Sequence, residues 1–276
     1  MGGHVTTPAA ALADKLPPWA ALVRAPNPGP MTLTGTNTWV LRAPGERSSV
    51  VVDPGPLDEG HLRAVADHGP VAAILVTHGH HDHTEGLARL AELTGAPVHS
   101  LDAPVRLAGL EISPLATPGH TADSVCYLVS DASGGERAVL TGDTILGRGT
   151  TVVAWPDGNL GDYLASLELL AGLGAIPVLP GHGPPLADCA AAARFYLAHR
   201  HARLDQVRAV RAAGATSAAE VVAAVYADVD RSLWPAAEMS VRAQLAYLDR
   251  EAGPGGGSGS GRAGPGGPPR ESRPPA

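Results

Sequence analysis

The sequence predicts an α/β protein in which two sheets face each other with helices outside, followed by a small all-helical domain. Three observations carry this. In the first half, apolar runs of strand length alternate with segments of helical periodicity, joined by turns rich in Gly and Pro. In the second half, strand-like runs follow one another through hairpin turns, which indicates antiparallel pairing and argues against a doubly wound parallel sheet. From Leu186 onward, Ala-rich helical periodicity replaces both patterns.

Residues 1–30 are Pro-rich and aperiodic and read as an irregular lead-in along the surface. Residues 37–41 and 48–52, rich in Val with Thr or Ser, flank Ala43-Pro44-Gly45 and form a hairpin. Asp53-Pro54-Gly55 ends the second strand; a helix over residues 57–68 follows and stops at Gly69-Pro70. Strand 71–76 runs into a His-rich turn, and the next helix, over residues 84–93, ends at Gly95. Strands are expected near Val98 and over 105–112, 124–129 and 138–141, the last two flanking Ser133-Gly134-Gly135. A helix over 159–170 precedes a short strand at 176–179. Three helices, reaching to about residue 213 and then over 217–227 and 235–252, are joined by Gly214-Ala215-Thr216 and by a turn near Asp230. The expected organisation is a lead-in over 1–30, a catalytic domain over 31–185, a helical domain over 186–252 and a disordered Gly- and Pro-rich tail over 253–276.

The His-rich turn is Thr77-His78-Gly79-His80-His81-Asp82-His83. In extended chain, residues two apart point the same way, so His78 and His80 can hold one metal, while the following turn swings Asp82 and His83 toward a second. Three further segments end apolar runs with a Gly beside a ligand: Pro118-Gly119-His120, Thr141-Gly142-Asp143 and Pro180-Gly181-His182. Together they supply His78, His80 and His120 for one cation and Asp82, His83 and His182 for the other, with Asp143 as the bridge. Two cations about 3.5–4 Å apart require a bridging anion and can hold a hydroxide at neutral pH. A His and carboxylate set without thiolate suits Zn and equally permits Mn or Fe. Asp82 and Asp143 are the candidate catalytic carboxylates.

The order Asp53, His78-x-His80-x-Asp82-His83, His120, Asp143, His182 resembles the five-motif signature of the metallo-β-lactamase superfamily over residues 32–185. The runs from Asn27-Pro28-Gly29-Pro30 through Thr36-Asn37-Thr38, Thr117 to Thr121, Gly142 to Gly147 and Pro180 to Pro184 are similar to the β-lactamase-like protein 2 branch. Animal members of that branch are single-strand-selective endoribonucleases, and related fungal proteins hydrolyse acyl-carrier-protein thioesters. The resemblance implies an αββα sandwich with metals on one edge and a C-terminal winged-helix-like domain. It implies that Asp53 is not a ligand and braces the ligand loops through hydrogen bonds. It further suggests Asn37, His199 and Arg200 as substrate contacts. Gly79 and His81 stand where bulkier residues are common, which implies a wider pocket mouth. A bridging Asp143 departs from true metallo-β-lactamases, so antibiotic hydrolysis is not expected, and no room exists between Asp143 and His182 for the insertion of the β-CASP nucleases.

The resulting expectation is a dinuclear metallohydrolase, foremost an endoribonuclease-like phosphodiesterase on single-stranded RNA. The alternative is a thioesterase or other acyl hydrolase of glyoxalase II-like or carrier-protein thioesterase chemistry. A second alternative is a metal-stabilised binding or regulatory protein without catalysis, against which an open, Gly-lined ligand set argues. His199 and Arg200, with Arg203, Arg208 and Arg211 along one broad face of the long helix, could contact a phosphate or an acyl-carrier partner, or form a solvated face paired to carboxylates. His4, His61 and His68 read as surface residues and His99 as a strand residue.

The 276-residue chain, 44% hydrophobic, can bury a substantial core. A net charge of −7 argues against a surface that attracts nucleic acid as a whole, so stable DNA binding is not expected, and 4% aromatics leave few platforms for base stacking. Lys15 is the only lysine. The two cysteines, Cys126 and Cys189, read as buried free thiols of a reducing compartment. No stretch is apolar enough to span a bilayer, Met1 to Thr6 match the N-myristoylation pattern only loosely, and a cytoplasmic protein is expected.

Overall fold

The computed structural model describes residues 9–12, 16–131 and 135–252. The loose lipidation pattern, His4, Lys15, the centre of the turn at Ser133-Gly134 and the Gly- and Pro-rich tail lie outside the described residues.

Two mixed sheets form, and both use the same device. In the first, β1 (Ala20–Arg24), β2 (Asn37–Leu41), β3 (Ser49–Val52) and β4 (Val71–Leu75) lie side by side in that order, antiparallel except for β3 and β4. In the second, β5 (Val105–Leu107), β6 (Leu110–Ala116), β7 (Val125–Asp131), β8 (Arg137–Gly142) and β9 (Val178–Pro180) follow in order, antiparallel except for β8 and β9. Each parallel pair is joined by a crossover containing a helix, α1 (Glu59–Ala66) in the first sheet and α4 (Leu160–Ala171) in the second. The four strands of these pairs all end at one edge of the sandwich, where residue 53, the His-rich turn, Asp143 and His182 emerge.

Side-chain alternation fixes the layers. Trp39, Leu41, Val50, Val52 and Leu75 turn inward onto Leu110, Ile112, Tyr127, Val129 and Leu140 of the second sheet. Their neighbours Val40, Val51 and Ile74 point outward onto Leu62 and Val65 of α1 and Leu90 of α3 (Leu87–Thr94). On the far side, Cys126, Val139 and Val178 pack under α4 and α5 (Cys189–Ala212). Each fully buried Leu or Val contributes about 1.5–3 kcal/mol, so a register slip of one residue in any strand would expose a whole face. The layer order is helix, sheet, sheet, helix.

The C-terminal helices, α5, α6 (Ala218–Val225) and α7 (Trp234–Glu251), extend the outer core without a break: Leu204, Val207, Val221, Val241 and Leu248 belong to the cluster that contains Tyr163 and Leu167 of α4. The N-terminal part of α5 packs against α4 in this outer core. A capping box of Ser217 and Glu220 starts α6. Among the described residues, no helix is long and apolar enough to cross a membrane.

Four local expectations differ from the structure. The lead-in contains the strand β1, whose Ala-Ala-Leu-Val-Arg sequence lacks polar alternation and takes its pairing from β2. The helix over 84–93 is divided into α2 (His81–Thr84) and α3 at Gly86, a position where a Cβ would press on Leu62 and the Pro56 carbonyl. The strand over 105–112 folds back at Ala108-Gly109, both with positive φ, to make β5 and β6. His61 is buried, its Nε2 near Thr38 Oγ1 (2.9 Å) and the Pro54 carbonyl (3.1 Å), so it is no surface residue.

Candidate metal centre

The His-rich turn starts just past β4, and Gly142 lets β8 deliver the next residue beside it. Gly142 has φ +47 and lies so close to Thr77 that a Cβ would overlap its side chain. His78 Nε2 and His120 Nε2 each stand 3.0 Å from His80 Nδ1. Opposite them, His182 Nε2 stands 3.2 Å from His83 Nε2 and 3.0 Å from Asp82 Oδ2. These are the two ligand sets expected from the sequence, brought together as two clusters whose donor atoms converge.

Asp143 lies between the clusters. Its Oδ1 is 3.5 Å from His83 Nε2 and 3.4 Å from His182 Nε2, while its Oδ2 is 3.8 Å from His120 Nε2. Oδ1 is buried without a hydrogen-bond partner. A close cradle sets this position, since a Cβ on Gly181 would come within 2.7 Å of both Asp143 Oδ1 and His83 Cε1.

The imidazoles are aimed by what their other nitrogens touch. His83 Nδ1 is 2.9 Å from Asp53 Oδ2, His120 Nδ1 is 2.6 Å from the Val152 carbonyl, and His182 Nδ1 is 3.3 Å from the Gly35 carbonyl. His78 Nδ1 lies 3.1 Å from Thr77 Oγ1, which itself donates to Asp53 Oδ2 at 2.7 Å. With Nδ1 engaged on the outer side, each of these four rings turns its Nε2 inward. Asp53 also accepts from the Thr77 amide through Oδ1 at 2.7 Å and holds its own backbone at φ +55. Its carboxylate meets His83 through Nδ1, the ring nitrogen turned away from the converging Nε2 atoms.

Burial pushes His78 down to about 3 and lowers His120, so both rings are neutral and ready to donate a lone pair. At His83 and His182 burial also lowers proton affinity, but carboxylates prevail: Asp53 and Asp143 hold His83 well above its ordinary value, and Asp143 and Asp82 push His182 up to about 9. Asp143, against the effect of burial, is held well below the carboxylate range by His182 and His83. Protons on these rings supply the positive charge that the carboxylates demand.

The donor set fits a pair of cations. In tetrahedral geometry two nitrogens each about 2.0–2.1 Å from one cation stand roughly 3.3 Å apart, close to the nitrogen separations found here. The unpartnered Oδ1 of Asp143 is an acceptor aimed at a charge between the clusters.

Comparison with known proteins matches residues 31–107 to the metallo-beta-lactamase superfamily and residues 217–252 to the beta-lactamase associated winged helix domain. The chain is 30% identical to a beta-lactamase-like protein 2 homolog of Drosophila melanogaster, over 82% of this chain and 86% of that protein. The chain belongs to the metallo-β-lactamase superfamily. It is also 36% identical to the atrochrysone carboxyl ACP thioesterase of Aspergillus fumigatus, over 62% of this chain and 58% of that one. A metallo-beta-lactamase family protein of Thermus thermophilus shares the fold, with a TM-score of 0.70 and 24% identity, covering 86% of this chain and 95% of that chain.

Beside the candidate metal centre, a cavity of about 320 Å³ runs between the sandwich and the C-terminal helices. Its floor reaches His120 and Asp143, and Leu33, Leu146, Val152, Tyr226, Leu233 and Ala237 make its walls largely apolar. No stretch of sequence announces this slot, because its walls come from segments far apart in the chain. Of the substrate contacts suggested earlier, His199 sits half-buried in the slot wall, where burial and then the Arg200 and Arg203 charges push it down to about 4. Arg200 borders the slot but is buried, donating to the Thr151 carbonyl with its guanidinium 5.1 Å from the Tyr163 ring. Asn37 faces elsewhere: its Nδ2 donates to the carbonyls of Pro180 (3.0 Å) and Gly183 (2.8 Å), holding the loop that carries His182. Arg208 pairs with Asp205 and Glu251, and Arg211 with Asp249, so this face is paired to carboxylates. The space at Gly79 is taken up as well, since a Cβ there would stand 3.0 Å from Asp123 Oδ2, and the mouth is not simply widened.

Proposed function

We propose that the chain is a dinuclear metallohydrolase acting on acyl thioesters, with His78, His80 and His120 holding one divalent cation, Asp82, His83 and His182 the other, and Asp143 spanning both. The observation that carries this reading is the apolar slot that ends on His120 and Asp143. Zn suits the nitrogen-rich set, and Mn or Fe is compatible with it. When bound, the cations would acidify a water and polarise the acceptor oxygen of the substrate.

The chain's own residues supply the rest. The slot excludes water from an acyl group, so the scissile carbon is oriented at the metal edge by burial. Asp82 and Asp143 can accept the proton released as water adds, and the C–S bond breaks to free a thiol and a carboxylic acid. Asp53 and Thr77 hold the rings through these steps without moving. Two buried, free cysteines with thiols raised to about 11 and about 12 by burial fit a cytoplasmic setting.

Cleavage of single-stranded RNA by the same centre is the second reading, favoured by the cationic Arg148 and Arg203 at the slot. Against it stand the carboxylate pairing of Arg208 and Arg211 and the buried engagement of Arg200. The deciding experiment assays Zn- and Mn-loaded protein on an acyl thioester and on a fluorescent single-stranded RNA, with Asp143→Ala as the blank. Thioester turnover that vanishes in the blank is expected; RNA cleavage alone would overturn the acyl reading.

A further inference from the structure

One wall of the slot also aims the ring of His120. The Val152 carbonyl lies 2.6 Å from His120 Nδ1, and Thr151 Oγ1 stands 3.3 Å from the same nitrogen. A carbonyl oxygen only accepts, so Nδ1 carries the proton of the neutral ring and the lone pair on Nε2 is the one turned toward His80. The direction of that lone pair is set by where residues 151 and 152 lie.

Residues 151–154 belong to no strand or helix, although Thr151 and Val153 are buried. In a sheet, ladder hydrogen bonds would fix their backbone groups; here side chains from the C-terminal helices do so. The Thr151 carbonyl accepts from Arg200 Nη2, and the Val153 amide donates to Ser240 Oγ at 3.3 Å. Val152, whose carbonyl meets the ring, is therefore gripped on both sides, by α5 through Arg200 and by α7 through Ser240. Arg200 and Ser240 are only 2% and 6% exposed, so water competes little for either contact. The grip is itself anchored. The Arg200 guanidinium carbon lies 5.1 Å from the Tyr163 ring centre, and Tyr163 Oη donates at 2.7 Å to the carbonyl of Thr144, the residue after Asp143.

The second ligand cluster has different supports. His83 rests on Asp53 and His182 on the Gly35 carbonyl, neither of which belongs to the C-terminal helices. We propose that Arg200 and Ser240 are positioning residues for the cation held by His78, His80 and His120, acting through residues 151–153 and the His120 ring, so that the C-terminal helices tune the affinity of one cation of the pair and not of the other. This rests on the metal reading of the site and on no choice of substrate.

The test measures zinc affinity of the full chain by competition with a chromophoric chelator, without substrate, in two backgrounds. His182→Ala leaves the first cluster intact, whereas His120→Ala removes the ring through which the grip acts. In the His182→Ala chain, Ser240→Ala should weaken zinc about five-fold, the equivalent of one net hydrogen bond. Ser240→Thr, which keeps the hydroxyl, should restore the affinity. Arg200→Met should weaken zinc further, toward the about 10–100-fold that loss of a supporting partner costs. In the His120→Ala chain the same substitutions should leave zinc affinity unchanged, because groups that act through one another are non-additive. Cobalt(II) in place of zinc reports geometry: its visible absorption should change with Ser240→Ala in the first background and not in the second.

A direct contact of Arg200 or Ser240 with an occupant of the slot would move neither readout, since no substrate is present. Equal loss of affinity in both backgrounds would mark a general loss of stability and overturn the proposal, as would undiminished affinity in Ser240→Ala. If Arg200→Met does not fold, Ser240→Ala and Ser240→Thr decide the question alone. A wild-type chain that takes up no zinc would remove the metal reading itself, and the proposal with it.

Discussion

Asp53 Oδ2 lies 2.9 Å from His83 Nδ1 at the centre of the edge where the parallel strand pairs end. The same carboxylate accepts from the amide and the hydroxyl of Thr77, and Thr77 Oγ1 in turn lies beside His78. One residue thus aims a ring in each candidate metal cluster.

Asp53→Ala should reduce metal affinity about 10–100-fold, because His83 and Thr77 lose the partner that fixes them. The buried groups left unpaired should also destabilise the protein by about 1–3 kcal/mol each. Metal titration by calorimetry checks the first effect and denaturant unfolding the second; wild-type affinity for both cations would contradict the bracing role.

Gly181→Ala should damage the site without touching any ligand. The new methyl would stand 2.7 Å from Asp143 Oδ1 and His83 Cε1, which forces one of them off its position. Metal content after dialysis should fall while the circular dichroism spectrum stays that of the wild type. Full retention of both cations would show that the cradle is looser than its geometry.

Metal uptake should release protons. His182 in the metal-free chain is pushed up to about 9, so near pH 7 its ring carries a proton that a cation must displace. Calorimetry in buffers of different ionisation enthalpy should report proton release near pH 7 that diminishes as the pH passes about 9. The sign for stability follows from the same shift: the raised His182 stabilises the metal-free fold fully below the ordinary His value of 6.5, and that contribution is lost as pH rises through about 9. His78, depressed to about 3, acts oppositely, since the unfolded ring takes a proton below 6.5 that the folded ring refuses until about 3. Metal-free protein should therefore melt at lower temperature at pH 9 than at pH 7, a loss that bound metal should lessen.

Arg208→Gln and Arg211→Gln should leave turnover unchanged on any substrate. Their guanidiniums are engaged by Glu251, Asp205 and Asp249 on the solvent side, away from the slot. A large drop in RNA affinity in either variant would support the phosphodiester reading.

The two candidate clusters were legible because His78, His80, His120, Asp143 and His182 each sit beside a Gly at the end of an apolar run, and Asp82 and His83 belong to the same contiguous turn as His78 and His80. His78, His80 and His120, and likewise Asp82, His83 and His182, are close in the structure because the strand ends that carry them are neighbours. The layer order was legible for a similar reason, as Val50, Val51 and Val52 alternate faces within one short run. What escaped depends on distance in sequence. β1 is a strand because β2 pairs with it, not because its own residues alternate. Arg211 finds Asp249 and Arg208 finds Glu251 only through the packing of α5 on α7. The resemblance suggests Asn37 as a substrate contact, yet its Nδ2 donates to the carbonyls of Pro180 and Gly183, more than a hundred residues away.

The most direct test of the central claim is metal content per chain, measured by elemental analysis after dialysis against metal-free buffer, for wild type and Asp143→Ala side by side. Two divalent cations in the wild type and a loss of one or both in Asp143→Ala is the result predicted by a carboxylate that spans both clusters. Two cations retained in Asp143→Ala, with activity intact, would contradict it.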